Sequence, residues 1–174
     1  LATGGHVLFA SMAAFSLAQI IAAPILGVLS DRVGRRPVLI VSLVGSAVSF
    51  ILLGVAAQAG WLWLLFVSRI LDGVTGGNIS VAQAYAADVT TPGNRARAMG
   101  MIGAAFGLGM VAGPAIGAGL SLGFWQGIVP TLFDGLPAYG AAVITLVALL
   151  LCWRGLPEPD KEPAPSGRSV IGPD

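Results

Sequence analysis

The chain has 174 residues, of which 10% are charged and 56% hydrophobic, with a formal net charge of +1. A soluble domain carries about 25% charged residues, and the mean hydropathy here is +0.87. This composition argues against a soluble enzyme, a nucleic-acid binder and a disordered chain, and it predicts an all-α membrane protein. The single cysteine, Cys152, excludes an internal disulfide and a cysteine-based zinc cluster, and we expect no metal and no cofactor.

Five stretches are apolar enough to cross a bilayer, which takes roughly 20 residues of helix. They cover residues 5–29, 37–57, 61–87, 99–122 and 136–153. The short connection 58–60 predicts a tight helical hairpin between the second and third spans. Residues 155–174 are rich in proline and charge, which predicts a cytoplasmic linker or tail after a transmembrane unit over 1–154.

Eight of the nine basic residues lie in the first loop, in the third loop or after the last span. They are Arg32, Arg35, Arg36, Arg95, Arg97, Arg154, Lys161 and Arg168, and the ninth, Arg69, lies inside a span. The positive-inside rule then places these connections in the cytoplasm and residue 1 outside. Because the chain starts outside with Leu1 rather than methionine, we expect a truncated sequence whose parent has at least one more helix upstream.

The third span carries a polar stripe at helical spacing. Its members are Arg69, Asp72, Gly73, Gly76, Ser80 and Gln83. Charges inside a membrane are costly and usually functional, so we favour a stripe that faces the bundle interior or a transport pathway. The alternative is that Arg69 and Asp72, three residues apart, simply form an internal ion pair.

Small residues mark two further spans. Gly109, Gly113 and Gly117 recur every four residues in the fourth span, a spacing that lets helix backbones approach closely, and Pro114 predicts a bend. Ordinary helix packing would explain this spacing as well. In the first span, Gln19 would either line a cavity or make a packed hydrogen bond between helices.

The first loop, 27–37, has the most specific pattern. Asp31 can accept hydrogen bonds from a guanidinium or a helix N-terminus. Gly34 suits a tight turn with positive φ, and Pro37 suits the first turn of the next helix. A loop that only sets topology needs arginines, whereas this one also has Gly27, Asp31 and Gly34 at fixed spacing.

Three segments of this sequence resemble the signature motifs of the major facilitator superfamily of secondary transporters, and they occur in the order and spacing typical of that family. The segment 27–37 is similar to the family's loop between its second and third helices. Leu65, Arg69, Gly73 and Gly76 resemble the fourth-helix motif, whose arginine is implicated in proton coupling. A third group of residues in the fourth span resembles the fifth-helix motif of drug/proton antiporters, although Ala118 stands where that motif has its last glycine. The group consists of Gly100, Gly109, Gly113, Pro114 and Gly117.

The resemblance implies that the five spans are helices two to six of a twelve-helix fold, so that the chain is a partial six-helix half-bundle. It implies proton-coupled efflux of a drug-like small molecule by alternating access, similar to tetracycline and multidrug efflux proteins. The implied partners are the bilayer of a bacterial inner membrane, the substrate, protons, the missing first helix and the C-terminal half. The alternatives are a facilitator-type symporter or uniporter for a sugar or metabolite, and a polytopic membrane enzyme.

The resemblance also suggests roles for single residues. We expect Asp31 and the arginines of its loop to form an inner latch, extended by Asp88 with Arg95 or Arg97. Arg69 would tune proton binding by a nearby carboxylate such as Asp72, and the fourth span would seal the half-bundle against proton leak. Gln19, Ser80 and Gln83 are candidates for lining the substrate pathway.

Overall fold

The computed structural model describes residues 2–130 and 132–156, with side chains from Gly5 onward. All regular elements in these ranges are helices, which confirms the predicted all-α membrane bundle. The helices are α1 (Ala2–Val33), α2 (Arg35–Ala59), α3 (Leu62–Gly76), α4 (Ile79–Asp88), α5 (Arg95–Leu120), α6 (Phe124–Ile128) and α7 (Leu136–Gly155), with a 3-10 turn at Phe133–Gly135. The predicted linker beyond residue 156 lies outside the described residues.

A single non-helical residue, Gly34, joins α1 to α2. The first loop is therefore shorter than predicted, because α1 continues through Val33 and α2 already begins at Arg35. Gly34 has φ 120°, a conformation that glycine tolerates and other residues rarely adopt, and its N–H donates to the Ser30 carbonyl at 3.0 Å. Pro37 lies in the first turn of α2, where its missing N–H leaves no helical acceptor unpaired.

The third predicted span differs from the prediction, because it is two helices rather than one. The helix stops at Gly76 and restarts at Ile79, and the intervening Gly77 and Asn78 have low helix propensity. Two carbonyls at this break accept hydrogen bonds from side chains. Gln19 Nε2 of α1 donates to the Gly76 carbonyl at 3.2 Å, and Ser80 Oγ donates to the Gly77 carbonyl at the same distance. The break is thus compensated, as backbone at membrane depth requires.

The centre of the bundle is α2, which packs between α3 and α7, while α1 packs on the other side of α3. Small residues make these close contacts possible. A Cβ at Gly73 would lie 2.8 Å from the Ala18 Cβ and would also overlap the Phe15 carbonyl of α1. At Gly54 of α2, a Cβ would lie 2.6 Å from the Tyr139 ring of α7.

Among the described residues, four stretches are long and apolar enough to cross a membrane: Gly5–Val33, Arg35–Ala59, Arg95–Leu120 and Phe133–Gly155. The stretch at 61–87 is absent from this set because α3 and α4 are each too short when taken alone. Helix α5 differs from its neighbours, since it has no buried residue and makes its main contacts with α4 and α7. One whole side of α5 therefore remains open in the described part of the chain.

Candidate functional site

The first loop builds a charged cluster, here called the Arg35 cluster, from Ser30, Asp31, Arg35 and Asp88. Arg35 Nη1 lies 3.0 Å from Asp31 Oδ1 and donates to Ser30 Oγ at 3.2 Å. The Arg35 Nε atom donates to Asp88 Oδ2 at the end of α4. One guanidinium thus joins the α1–α2 turn to the end of the broken third span, with a carboxylate on each side.

Two further arginines attach neighbouring helices to this end of the bundle. Arg36 Nη2 donates to the Trp153 carbonyl of α7 at 2.6 Å. Arg95 Nη2 donates to the Ala87 carbonyl at 3.1 Å, since the turn before α5 folds back along the end of α4. One end of the bundle therefore brings together the ends of α1, α4 and α7 and the starts of α2 and α5. This agrees with the prediction that the basic residues of the first loop, of the third loop and after the last span lie on the same side.

The structure changes the predicted partner of Asp88. We expected Asp88 to pair with Arg95 or Arg97, but its carboxylate points towards the start of α2 and pairs with Arg35. Arg95 binds a backbone carbonyl instead, and Arg97 is exposed at the start of α5. Arg32 is exposed on the last turn of α1, and Gly27 lies one turn before the Arg35 cluster, its carbonyl accepting from Ser30 Oγ at 2.7 Å.

A second polar group lies within the bundle, between α2 and α3. Arg69 Nη1 is 3.8 Å from Asp72 Oδ2, so the predicted ion pair is present but is longer than a hydrogen bond. Ser49 of α2 donates to Asp72 Oδ1 at 3.2 Å. Asp72 is 8% exposed and Ser49 is fully buried. The charge at membrane depth is therefore held by one neighbouring helix and one residue of its own helix.

The predicted polar stripe of the third span is divided by the helix break. Gly73 and Gly76 belong to α3 and face α1, where Gly76 lies near Phe15 and Gln19. Ser80 and Gln83 belong to α4 and are exposed. Gln19 of α1 donates a hydrogen bond to the Gly76 carbonyl of α3. Of the two predicted alternatives for Gln19, this is the packed hydrogen bond between helices. Asp72 and Gly73 are buried whereas Ser80 and Gln83 are exposed, so the stripe does not form one uniformly buried face.

The antiporter-type motif lies entirely on α5. A Cβ at its glycines would meet no atom within 4 Å in the described part of the chain. Pro114 lies inside this helix without interrupting it. The residues concerned are Gly100, Gly109, Gly113, Pro114 and Gly117. The open side of α5 is therefore a surface without a neighbour among the described residues.

Sequence reasoning did not assign Ser49 to the site. It lies on a small-residue face of α2 that looks like ordinary packing. The sequence did contain a signal for this contact. The serine face of α2 is followed, after a turn of a few residues, by a helix that carries the buried carboxylate of Asp72. Two antiparallel helices joined so tightly must face each other, and a buried carboxylate needs a donor.

Comparison with known proteins places these features in a family. The Major Facilitator Superfamily model matches residues 4–172. The class C tetracycline resistance protein of Escherichia coli is 41% identical over 140 residues, covering 80% of this chain and 32% of that protein. The class G protein of Vibrio anguillarum is 38% identical over 161 residues, covering 92% and 38%.

A mammalian protein matches at a similar level. Major facilitator superfamily domain-containing protein 10 of Bos taurus is 38% identical over 154 residues, covering 87% of this chain and 30% of that protein. The chain spans about a third of the length of these curated relatives. The similarity therefore concerns one part of a longer architecture.

Proposed function

This chain belongs to the major facilitator superfamily, a family of membrane transporters, and we propose that the protein containing it exports a drug-like small molecule in exchange for protons. The membership confirms the resemblance found in the sequence. The printed names of several relatives describe tetracycline resistance, which makes tetracycline the first substrate to test. We further propose a bacterial inner membrane as its location, with the Arg35 cluster on the cytoplasmic side.

The observation that carries the proton-coupling part is the pair formed by the half-buried Arg69 and the buried Asp72. A carboxylate inside a membrane bundle is stable only when it is paired, hydrogen-bonded or protonated. The 3.8 Å separation leaves this ion pair loose, and Ser49 supplies a single hydrogen bond. A small movement of α3 against α2 would therefore change how well the charged form is supported, and proton binding would follow helix movement.

The Arg35 cluster is proposed to act as the inner latch. It links three helix ends through one guanidinium, so that separation of these ends must break charge-assisted hydrogen bonds. The open glycine side of α5 is proposed to receive a helix from the rest of the transporter and to seal the half-bundle against proton leak. Backbones can approach closely there because no side chain intervenes.

The test uses the complete polypeptide that contains this chain, in everted membrane vesicles with an imposed pH gradient. Tetracycline uptake by the vesicles should follow the gradient and stop when a protonophore removes it. Arg69→Ala should abolish this response, while the exposed Arg97→Ala should leave it within about twofold of the unmodified protein, as expected for a surface substitution. Transport by Arg69→Ala that still follows the gradient would contradict proton coupling through this residue.

The result also separates the proposal from its nearest alternative. A symporter or uniporter for a sugar or metabolite would leave tetracycline uptake unchanged while it moved a radiolabelled sugar or metabolite from a test panel. Uptake driven by an imposed sodium gradient, and insensitive to the protonophore, would replace the proton by sodium as coupling ion.

A further inference from the structure

The carboxylate of Asp72 has few partners for a group buried at membrane depth. Arg69 is the one cationic side chain that the described residues bring within ion-pair distance, and its nearest nitrogen is 3.8 Å away. Ser49 Oγ is closer, at 3.2 Å, and it comes from the neighbouring helix. The best-placed hydrogen-bond donor to Asp72 is therefore the serine hydroxyl rather than the guanidinium.

The Ser49 hydroxyl has one hydrogen and two acceptors within reach. Besides Asp72 Oδ1, the carbonyl of Ser46 lies 2.8 Å from Ser49 Oγ, one helical turn back on α2. A hydroxyl donates one hydrogen bond and accepts through its lone pairs. Rotation about the side-chain bond can therefore direct the hydrogen either across the interface to Asp72 or back to Ser46.

We infer that Ser49 is a positioning residue that holds Asp72 in both of its protonation states. When Asp72 is ionised, the Ser49 hydroxyl donates to the carboxylate. When Asp72 takes up one proton on Oδ1, the new O–H donates to Ser49 Oγ, and the serine hydrogen turns to the Ser46 carbonyl. One proton is gained, one hydrogen bond reverses its direction, and the oxygen atoms keep their places.

Two features of the interface favour such a fixed position. Ser49 is fully buried, so water does not compete for its hydroxyl. Close by, Ser46 Oγ and Thr75 Oγ1 lie 3.0 Å apart, and Gly45 leaves room for the Thr75 side chain. Thr75 lies one helical turn after Asp72, whereas Arg69 lies one turn before it. The contacts of Thr75 hold α3 against α2 and so keep the Ser49–Asp72 distance short.

The contact itself is tested by thermal melting of the complete polypeptide in detergent. Ser49→Ala should lower the melting temperature by about 1–3 °C, the shift expected when loss of a buried hydrogen bond costs about 1–3 kcal/mol in a polypeptide about three times as long as this chain. In the background of Asp72→Leu, which keeps the shape but removes the polar atoms, Ser49→Ala should have little further effect. Ser42→Ala is the matched control, because Ser42 is buried on the same helix and should give the same shift in both backgrounds.

A spectroscopic signature separates positioning from simple packing. In infrared spectra recorded across a pH series, the carboxylic C=O band that Asp72→Asn removes should move in frequency in Ser49→Ala. Ser49→Cys, whose thiol is a weaker partner, should give an intermediate position and serves if the alanine variant does not fold. Equal melting shifts in both Asp72 backgrounds, an Asp72 band absent at every pH, or a band unmoved by both substitutions would each overturn the inference.

The functional meaning of this contact rests on the proposed proton coupling, but neither measurement uses transport. If tetracycline uptake ignores the pH gradient while the melting and infrared results hold, the proposed function fails and the assignment of Ser49 stands. If uptake follows the gradient while the band and the melting cycle show no link to Ser49, the assignment fails and the proposed function stands.

Discussion

Removal of the Arg35 side-chain charge should weaken the end of the bundle that carries the Arg35 cluster more than removal of either carboxylate. Arg35 pairs with Asp31, which is 62% exposed, and with Asp88, which is 41% exposed. Exposed pairs of this kind contribute about 0.5 kcal/mol each, and the hydrogen bond to Ser30 adds about 0.5–1 kcal/mol. Arg35→Gln should therefore cost about 1–2 kcal/mol, Asp88→Asn about half of that, and Asp31→Asn the least.

Thermal melts of the complete polypeptide measure this order directly. A loss of 1 kcal/mol corresponds to a fall of about 1 °C in melting temperature for a polypeptide about three times as long as this chain, because the entropy of unfolding grows with length. If the proposed latch forms only when the transporter is closed at this end, a loss of 1–2 kcal/mol also changes the ratio of closed to open states by about five- to thirtyfold. Initial rates of tetracycline transport should fall accordingly, while the amount of protein inserted in the membrane stays the same.

A double-mutant cycle provides the decisive comparison. Arg35→Gln combined with Asp88→Asn should cost less than the sum of the two single substitutions, because the second removes a partner that is already lost. This coupling should shrink between 0.1 M and 1 M salt, as the Debye length falls from about 10 Å to about 3 Å. Arg97→Gln is the matched control, an exposed arginine outside the cluster. Strict additivity, or normal transport by Asp31→Asn and Arg35→Gln, would refute the latch.

Other contacts lead to equally specific expectations. Gly73→Val should destabilise the bundle by about 1–3 kcal/mol in thermal melts, because its side chain overlaps the α1 backbone, whereas Gly93→Ala, in the turn before α5, has open space and should change the stability by less than about 0.5 kcal/mol. Gln19→Leu should cost about 1–3 kcal/mol by leaving the Gly76 carbonyl without its side-chain donor, and an unchanged melting temperature would contradict the compensated break. Tyr139→Phe removes a hydrogen bond of 3.1 Å to an α2 side-chain amide and should cost about 0.5–1.5 kcal/mol in denaturant unfolding.

Much of the fold follows from hydropathy and from glycine chemistry. Long apolar runs predict the helices because the bilayer requires backbone hydrogen bonds to be satisfied within each segment. The positive φ of Gly34 was predictable, since a two-helix turn needs a residue without a side chain. The break at Gly77 was harder to predict from hydropathy. A hydropathy average over some 20 residues hardly changes when two of them leave the helix.

The site was predictable in composition but not in pairing. The sequence brings Asp88, Arg95 and Arg97 to one side of the membrane, and charge alone does not decide which arginine binds the carboxylate. That choice depends on the direction in which α4 leaves the break and on the fold-back of the turn before α5. The role of Ser49 was likewise not predictable from the sequence, because the rotation of α2 about its axis determines which of its serines faces Asp72.

The one-residue connection at Gly34 also limits how the gene can change in length. Each residue inserted into or deleted from the helical segment beside Gly34 rotates the residues beyond it by about 100° about the helix axis. Because α1 and α2 are helical up to the residues on either side of Gly34, nothing in the turn can absorb such a change. A single codon gained there would turn Ser49 away from Asp72 and Arg35 away from Asp88. Length variation between homologous genes should therefore be absent from this turn and should collect in the irregular segment between α5 and α7.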